Sequence, residues 1–220
     1  MKKLGILTIG QSPREDVTPQ FREILGNKVD IIERGALDSL NEADLSDINP
    51  KQGEVTYISK LRNGGSVKIS KEKLIPLLQN ELELLQDEAD VIVMLCTGDF
   101  PQLSSEKLIL FPDKILTHLT KATFKKGRLG LIIPLEEQKE SLLKKWKSLG
   151  MPIEVQAASP YADSAFKAAG EKLKKQGVTL IIMDCMGYNK KHKVVVTEST
   201  NLPVVLSQSI VASVAKEYLI

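Results

Sequence analysis

Lys3-Leu4-Gly5-Ile6-Leu7-Thr8-Ile9 and Arg128-Leu129-Gly130-Leu131-Ile132-Ile133-Pro134 decide the fold, because they are one pattern written twice. Each is a short apolar run rich in β-branched residues, as in a strand covered on both faces. The second lies 125 positions after the first (129 − 4). Later in each half a second such run closes on a cysteine with glycine two residues on. These are Ala89-Asp90-Val91-Ile92-Val93-Met94-Leu95-Cys96-Thr97-Gly98 and Val178-Thr179-Leu180-Ile181-Ile182-Met183-Asp184-Cys185-Met186-Gly187, offset by 89 positions (185 − 96). The two offsets differ by 36 (125 − 89), so the first half carries extra chain, which falls in the region from Ala36 to Ser70. Pro112 follows Cys96 as Pro203 follows Cys185, and each precedes a helical pattern.

Outward from the repeat, strand-like runs at Leu4 to Ile9, Val29 to Glu33, Val91 to Leu95, Leu129 to Ile133, Ile153 to Ala157, Leu180 to Asp184 and Val204 to Leu206 alternate with helical spacing. Leu74, Leu77, Leu78, Leu82 and Leu85 show that spacing, as do Ile210, Val211, Val214 and Tyr218. Glu54 to Ser59 and Ser66 to Ser70, around Leu61-Arg62-Asn63-Gly64-Gly65, predict a β-hairpin inserted in the first half. The expected fold is therefore two pseudo-symmetric parallel-sheet α/β lobes. The first comprises residues 1–111 with 204–220 and the second 112–203, with the helix from Gln208 to Leu219 returning to the first.

Hydrophobic residues make up 42% and charged residues 26% of the 220 positions, which suits a globular chain rather than a disordered one. Thirty basic against 28 acidic residues leave a net charge of +2, spread without a basic stripe, and aromatics are only 5%. Nucleic acid is not an expected partner. The longest apolar runs fall far short of the ~20 residues that span a bilayer, so no membrane is expected. The run after Met1-Lys2-Lys3 is too short for a signal peptide and reads as a strand. Two cysteines far apart in sequence form no disulfide framework or zinc spacing, so a reducing cytoplasm is the expected compartment and no cofactor is implied.

In open parallel sheets ligands bind outside the carboxyl ends of the strands, where Cys96 and Cys185 both fall. If the lobes face each other, one thiolate serves as base and the other thiol as acid toward one carbon. A lone strand-end cysteine is more often a small buried hydrophobe; its recurrence in the repeat argues for chemistry. The loop Thr8-Ile9-Gly10-Gln11-Ser12-Pro13-Arg14-Glu15-Asp16 is the second signal. Ser12 with Glu15 matches a capping box and Pro13 a first helical position. A helix is expected from Pro13 to Leu25, its N-terminus offered to a carboxylate near Ser12 and Arg14. Ser159-Pro160 predicts another helix from Tyr161 to Lys175. His192 stands in a basic run that reads as a solvated face, and Asp99 and Asp184 adjoin the cysteines.

These features resemble the aspartate/glutamate racemase superfamily: duplicated lobes, a cysteine closing a strand in each, and Gly10-Gln11-Ser12-Pro13. The whole chain is similar to the AroM family, through Leu7-Thr8-Ile9-Gly10, Ile132-Ile133-Pro134 with Glu136-Glu137, and Met183-Asp184-Cys185-Met186-Gly187. The resemblance implies Cys96 and Cys185 as the acid/base pair. It implies Gly10, Gln11, Ser12, Thr97, Gly98, Met186 and Gly187 around a small carboxylate ligand, with a homodimer as one assembly. The superfamily's Cys-Asn-Thr stands here as Cys96-Thr97-Gly98, and its Cys-Thr as Cys185-Met186. The expected activity is cofactor-independent racemisation, isomerisation or decarboxylation. The alternative is a non-catalytic binding or regulatory protein linked to aromatic metabolism.

Overall fold

The structure, a computed structural model, describes residues 1–162 and 165–220. It divides into two compact units, one of Met1–Asp113 with Val211–Ile220 and one of Lys114–Ile210.

In the first unit, β1 (Lys2–Thr8), β2 (Val29–Gly35), β5 (Val91–Leu95) and β6 (Leu108–Leu110) form a parallel sheet in the order β2-β1-β5-β6. In the second, β7 (Leu129–Ile133), β8 (Ile153–Ala157), β9 (Leu180–Met183) and β10 (Val204–Leu206) form a parallel sheet in the order β10-β9-β7-β8. Read from the opposite edge, the second order repeats the first, with β7 in the place of β1 and β9 in that of β5. The sequence repeat is thus a repeat of topology. Every residue of β5 and β7 is buried, as continuous apolar strands require when both faces are covered.

The glycine in each repeated motif has a packing cause. A Cβ on Gly5 would lie 2.9 Å from Ala89 Cβ and from Leu85 Cγ, at the end of α3 (Lys71–Glu88). A Cβ on Gly130 would lie 2.7 Å from Val178 Cγ1 and 3.2 Å from Leu173 Cδ1 of α6 (Phe166–Lys175). In each unit the helix that feeds the second central strand sits close on the first. Leu74, Leu78, Leu82 and Leu85 of α3 are fully buried on that face, each worth roughly 2 kcal/mol of transfer free energy.

β3 (Thr56–Lys60) and β4 (Ser66–Ser70) form the expected antiparallel hairpin, Thr56 opposite Ser70 and Lys60 opposite Ser66. Its turn closes through Leu61 N–H to Gly65 O, with Gly64 at φ 86°, a left-handed conformation that favours glycine. The remaining helices are α1 (Thr18–Leu25), α2 (Glu42–Asp47), α4 (Pro112–Thr123), α5 (Lys139–Trp146), α7 (Lys190–Thr200) and α8 (Ser207–Leu219).

Several expectations need correction. The first helix starts at Thr18, not Pro13, and Ser12 does not cap it; the residue before the helix is Val17. The helix expected from Tyr161 starts at Phe166; Ser159 Oγ accepts the Tyr161 N–H in a local turn, and Asp163 and Ser164 lie outside the described residues. β10, expected with the first lobe, is hydrogen-bonded to β9 in the second sheet. β6 and α2, at three and six residues, are too short for the sequence to carry a periodicity that marks them.

The glycine contacts make a direct expectation. Gly5→Val and Gly130→Val should each cost ~1–3 kcal/mol through overpacking, seen as a lowered urea midpoint. Unchanged midpoints would show that the helices do not press on these glycines.

Candidate functional site

At the carboxyl end of the first sheet, the loop after β1 is organised by Asp38, just past β2. Its carboxylate accepts the Ser12 N–H at 2.7 Å, the Ser12 hydroxyl at 2.6 Å, the Gly35 N–H at 2.8 Å and the Arg62 Nη2 at 2.5 Å. One side chain thus joins the β1 loop, the end of β2 and the hairpin turn. This is the physical reason Ser12 caps no helix: Asp38 takes both its hydroxyl and its amide. Arg62 also donates to Ser12 O, and its N–H donates to Gln11 Oε1 at 3.0 Å, while Gln11 Nε2 donates to Leu37 O.

Arg14 is equally engaged. Its Nε and Nη2 make a bidentate pair with Asp16, each bond 2.8 Å long, and its Nη1 donates to Thr8 Oγ1 at 2.8 Å and to Ser59 Oγ. The guanidinium is buried, and the Arg14 N–H donates to Glu33 Oε2 at 2.7 Å. Burial pushes the Asp16 carboxyl up, but the Arg14 hydrogen bond and charge outweigh it and leave its pKa below the ordinary value.

The hairpin closes over this end of the sheet. A Cβ on Gly10 would strike Ser59 Oγ, and one on Gly98 would lie 2.5 Å from Tyr57 Oη. Tyr57 is buried, its ring 5.3 Å from that of Phe100. Burial first, then the neighbouring Cys96, Asp99 and Asp113, pushes its phenol far above the ordinary value, so it stays protonated.

Both cysteines are half-buried, follow the end of a central strand and are outside any disulfide. Their surroundings repeat: Gly98 N–H donates to Cys96 Sγ at 3.4 Å, and Gly187 N–H donates to Cys185 Sγ at 3.3 Å. A hydrogen bond donated to sulfur favours the thiolate. Thr97, Gly98, Met186 and Gly187 are themselves buried.

In the second unit Asp184 is fully buried and held by α5. Lys145 Nζ lies 2.6 Å from its Oδ2, and Trp146 Nε1 donates to the same oxygen at 2.6 Å. Asp184 is therefore a structural carboxylate tying the β9 end to α5. Tyr188 donates to Ala158 O at 2.6 Å, and Gln208 Nε2 donates to Met186 O at 2.6 Å. His192, expected on a solvated face, is packed instead. Its ring stacks on Phe166 at 4.2 Å, its N–H donates to Asn189 Oδ1, and its Nδ1 accepts the Asn189 N–H at the start of α7. Glu136 and Glu137 are exposed, and Glu136 lies 3.6 Å from Lys139 Nζ.

Among the described residues no three His, Cys, Asp or Glu side chains are grouped to hold a metal ion. None of the described helices is long and apolar enough to cross a membrane.

Asp38 and Trp146 are the residues that local reading missed. A carboxylate just past Gly35 at a strand end was the available signal for Asp38, and a lone tryptophan among lysines was that for Trp146. Asp38→Ala should cost ~3 kcal/mol, since it strips several donors of a charged acceptor. It should also expose the 10–14 segment and the hairpin turn to faster amide exchange together; protection retained in both would contradict the hub. For Asp16, a folded pKa below the unfolded one contributes stability above the unfolded value, and this is lost as pH falls through the folded one. Asp16→Asn should therefore cost about 3 kcal/mol at neutral pH. The deficit should begin to shrink in urea titrations below about pH 4, where the carboxyl of the unfolded chain takes up a proton, and should vanish only once the pH has fallen through the lower folded value.

Comparison with known proteins agrees with this architecture. The chain is similar in structure to an aspartate racemase from Picrophilus torridus, with TM-score 0.62 and 12% identity, covering 100% of this chain and 94% of that one. It is similar to a Nocardia farcinica maleate cis-trans isomerase bound to TRIS, with TM-score 0.64 and 12% identity, covering 100% and 93%. It is also similar to unliganded arylmalonate decarboxylase, with TM-score 0.61 and 11% identity, covering 100% and 92%. At these identities the likeness is one of fold. No curated protein matches the chain in sequence. A family model described as AroM protein matches residues 4–219, and the chain belongs to the AroM family.

Proposed function

We propose that this protein is an enzyme of the racemase-like class, moving a proton on the α-carbon of a small carboxylic acid with Cys96 and Cys185 as acid and base. One observation carries the reading. Two half-buried cysteines, at equivalent points of two equivalent sheets, each receive the N–H of the glycine two residues on. A packing cysteine needs no such donor, and its recurrence in both units is hard to attribute to packing.

The chemistry runs in two steps. One cysteine, as thiolate, takes the α-proton and becomes a thiol, while the C–H electron pair delocalises into the carboxylate as an enolate. The other, as thiol, returns a proton to the same carbon and becomes the thiolate, so charge and atoms balance. Thr97 and Gly98 in the first unit and Met186 and Gly187 in the second form the ligand-contacting segments, with Gly10, Gln11 and Ser12 shaping the first. The similar solved proteins include a racemase, a cis-trans isomerase and a decarboxylase, and this range supports a carboxylate substrate.

The test is exchange of α-protons in deuterated water over a set of small carboxylates, followed by mass spectrometry. At least one substrate should gain deuterium, and Cys96→Ser or Cys185→Ser should each cut the rate about 100-fold or more. Exchange that survives both substitutions would remove the cysteines from the mechanism. Binding of a carboxylate without any exchange would point to a binding protein.

A further inference from the structure

Cys96 and Cys185 are matched by the repeat, but their coverings are not. Beside Cys185, Tyr188, three residues on in the same loop, donates its hydroxyl to Ala158 O, and a Cβ on Gly187 would meet Pro160 and the Tyr161 hydroxyl of the loop after β8 only at 3.1–3.3 Å. Beside Cys96 the aromatic comes from the inserted hairpin, which has no counterpart among the described residues of the second half. Tyr57 reaches the Cys96-Thr97-Gly98-Asp99-Phe100 segment at three points: its hydroxyl fills the space a side chain at Gly98 would need, its oxygen accepts the Asp99 N–H, and its ring packs on Phe100. Gly98 is the residue whose N–H meets the Cys96 sulfur. Holding the Asp99 amide and filling the space over Gly98 leaves the Gly98 N–H little room to leave the sulfur.

We propose that Tyr57 is a positioning residue for Cys96, through which the hairpin insertion holds the Gly98 N–H on the sulfur and sets the reactivity of this thiol alone. The inference rests on Cys96 being a reacting thiol, and it assigns the insertion a purpose the repeat does not explain. The ionisable groups around the phenol are Cys96, Asp99 and Asp113, while Lys71 Nζ lies 5.8 Å from the centre of the Phe100 ring on which Tyr57 packs. Because the phenol stays protonated, it holds the loop by hydrogen bonding and by its bulk.

The test is alkylation by iodoacetamide over a pH series, each cysteine followed separately by peptide mass spectrometry. Tyr57→Phe keeps the ring and removes the acceptor for Asp99. Its Cys96 profile should move to higher pH, slowing alkylation at neutral pH about threefold or more, as a shift of half a pH unit implies. Gly98→Ala, whose methyl group would displace the phenol, should move Cys96 the same way. Cys185 should keep its profile in both variants. A Cys96 profile unmoved by either substitution would overturn the proposal. So would an equal movement of Cys185, which would place the effect in the fold at large. Absence of α-proton exchange would defeat the enzyme reading while leaving this profile intact, so the two failures are distinguishable.

Discussion

A single carboxylate orders the mouth of each sheet. In the first unit Asp38 gathers donors from the β1 loop, the end of β2 and the hairpin turn, so three segments far apart in sequence become one surface. In the second, Asp184 binds Lys145 and Trp146 of α5 and fixes the chain immediately before Cys185. A charged acceptor with several donors is worth more than neutral pairs, and removing it strands every donor at once. The loops that carry Gly98 and Gly187 rest on this framework, and with them the amide contacts to both sulfurs.

The two units solve the same problem differently. The second covers its cysteine loop with Tyr188, with Pro160 and Tyr161 from the loop after β8, and with Gln208 on the Met186 carbonyl. The first has a plainer loop, Cys96-Thr97-Gly98, and brings in Tyr57 and Ser59 from the insertion. The insertion that breaks the sequence symmetry therefore supplies covering that the second unit takes from the loops at the ends of its own strands.

The strands at Val91–Leu95 and Leu129–Ile133 are legible because strands buried on both faces need unbroken apolar residues, while Ile153–Ala157, a half-buried edge strand, shows instead an alternation of apolar residues with Glu154 and Gln156. The repeat was legible for the same reason, and with it both cysteines. What local reading could not reach were contacts made across long stretches of chain. The Ser12 and Glu15 pattern matched a capping box, yet Asp38, 26 residues on, takes the serine instead. Trp146 is packed in the core, and nothing near it in sequence shows that its indole N–H is taken by Asp184, 38 residues away. Arg14 looked available to an anion, and its partner proved to be Asp16, two residues along, with Thr8 and Ser59 occupying the rest of the guanidinium. A capping box or a loop arginine states what a residue can bind, and the competing acceptor is chosen by the tertiary fold.

The central claim is that both cysteines sit in loops built to favour the thiolate. Thiolate absorbance near 240 nm, titrated against pH in the Cys96→Ser and Cys185→Ser variants, reads the remaining cysteine alone in each. The account predicts that each thiol ionises below the ~8.5 of an unperturbed cysteine. Ionisation of both at or above that value would contradict it, leaving two packing cysteines at the ends of two similar strands.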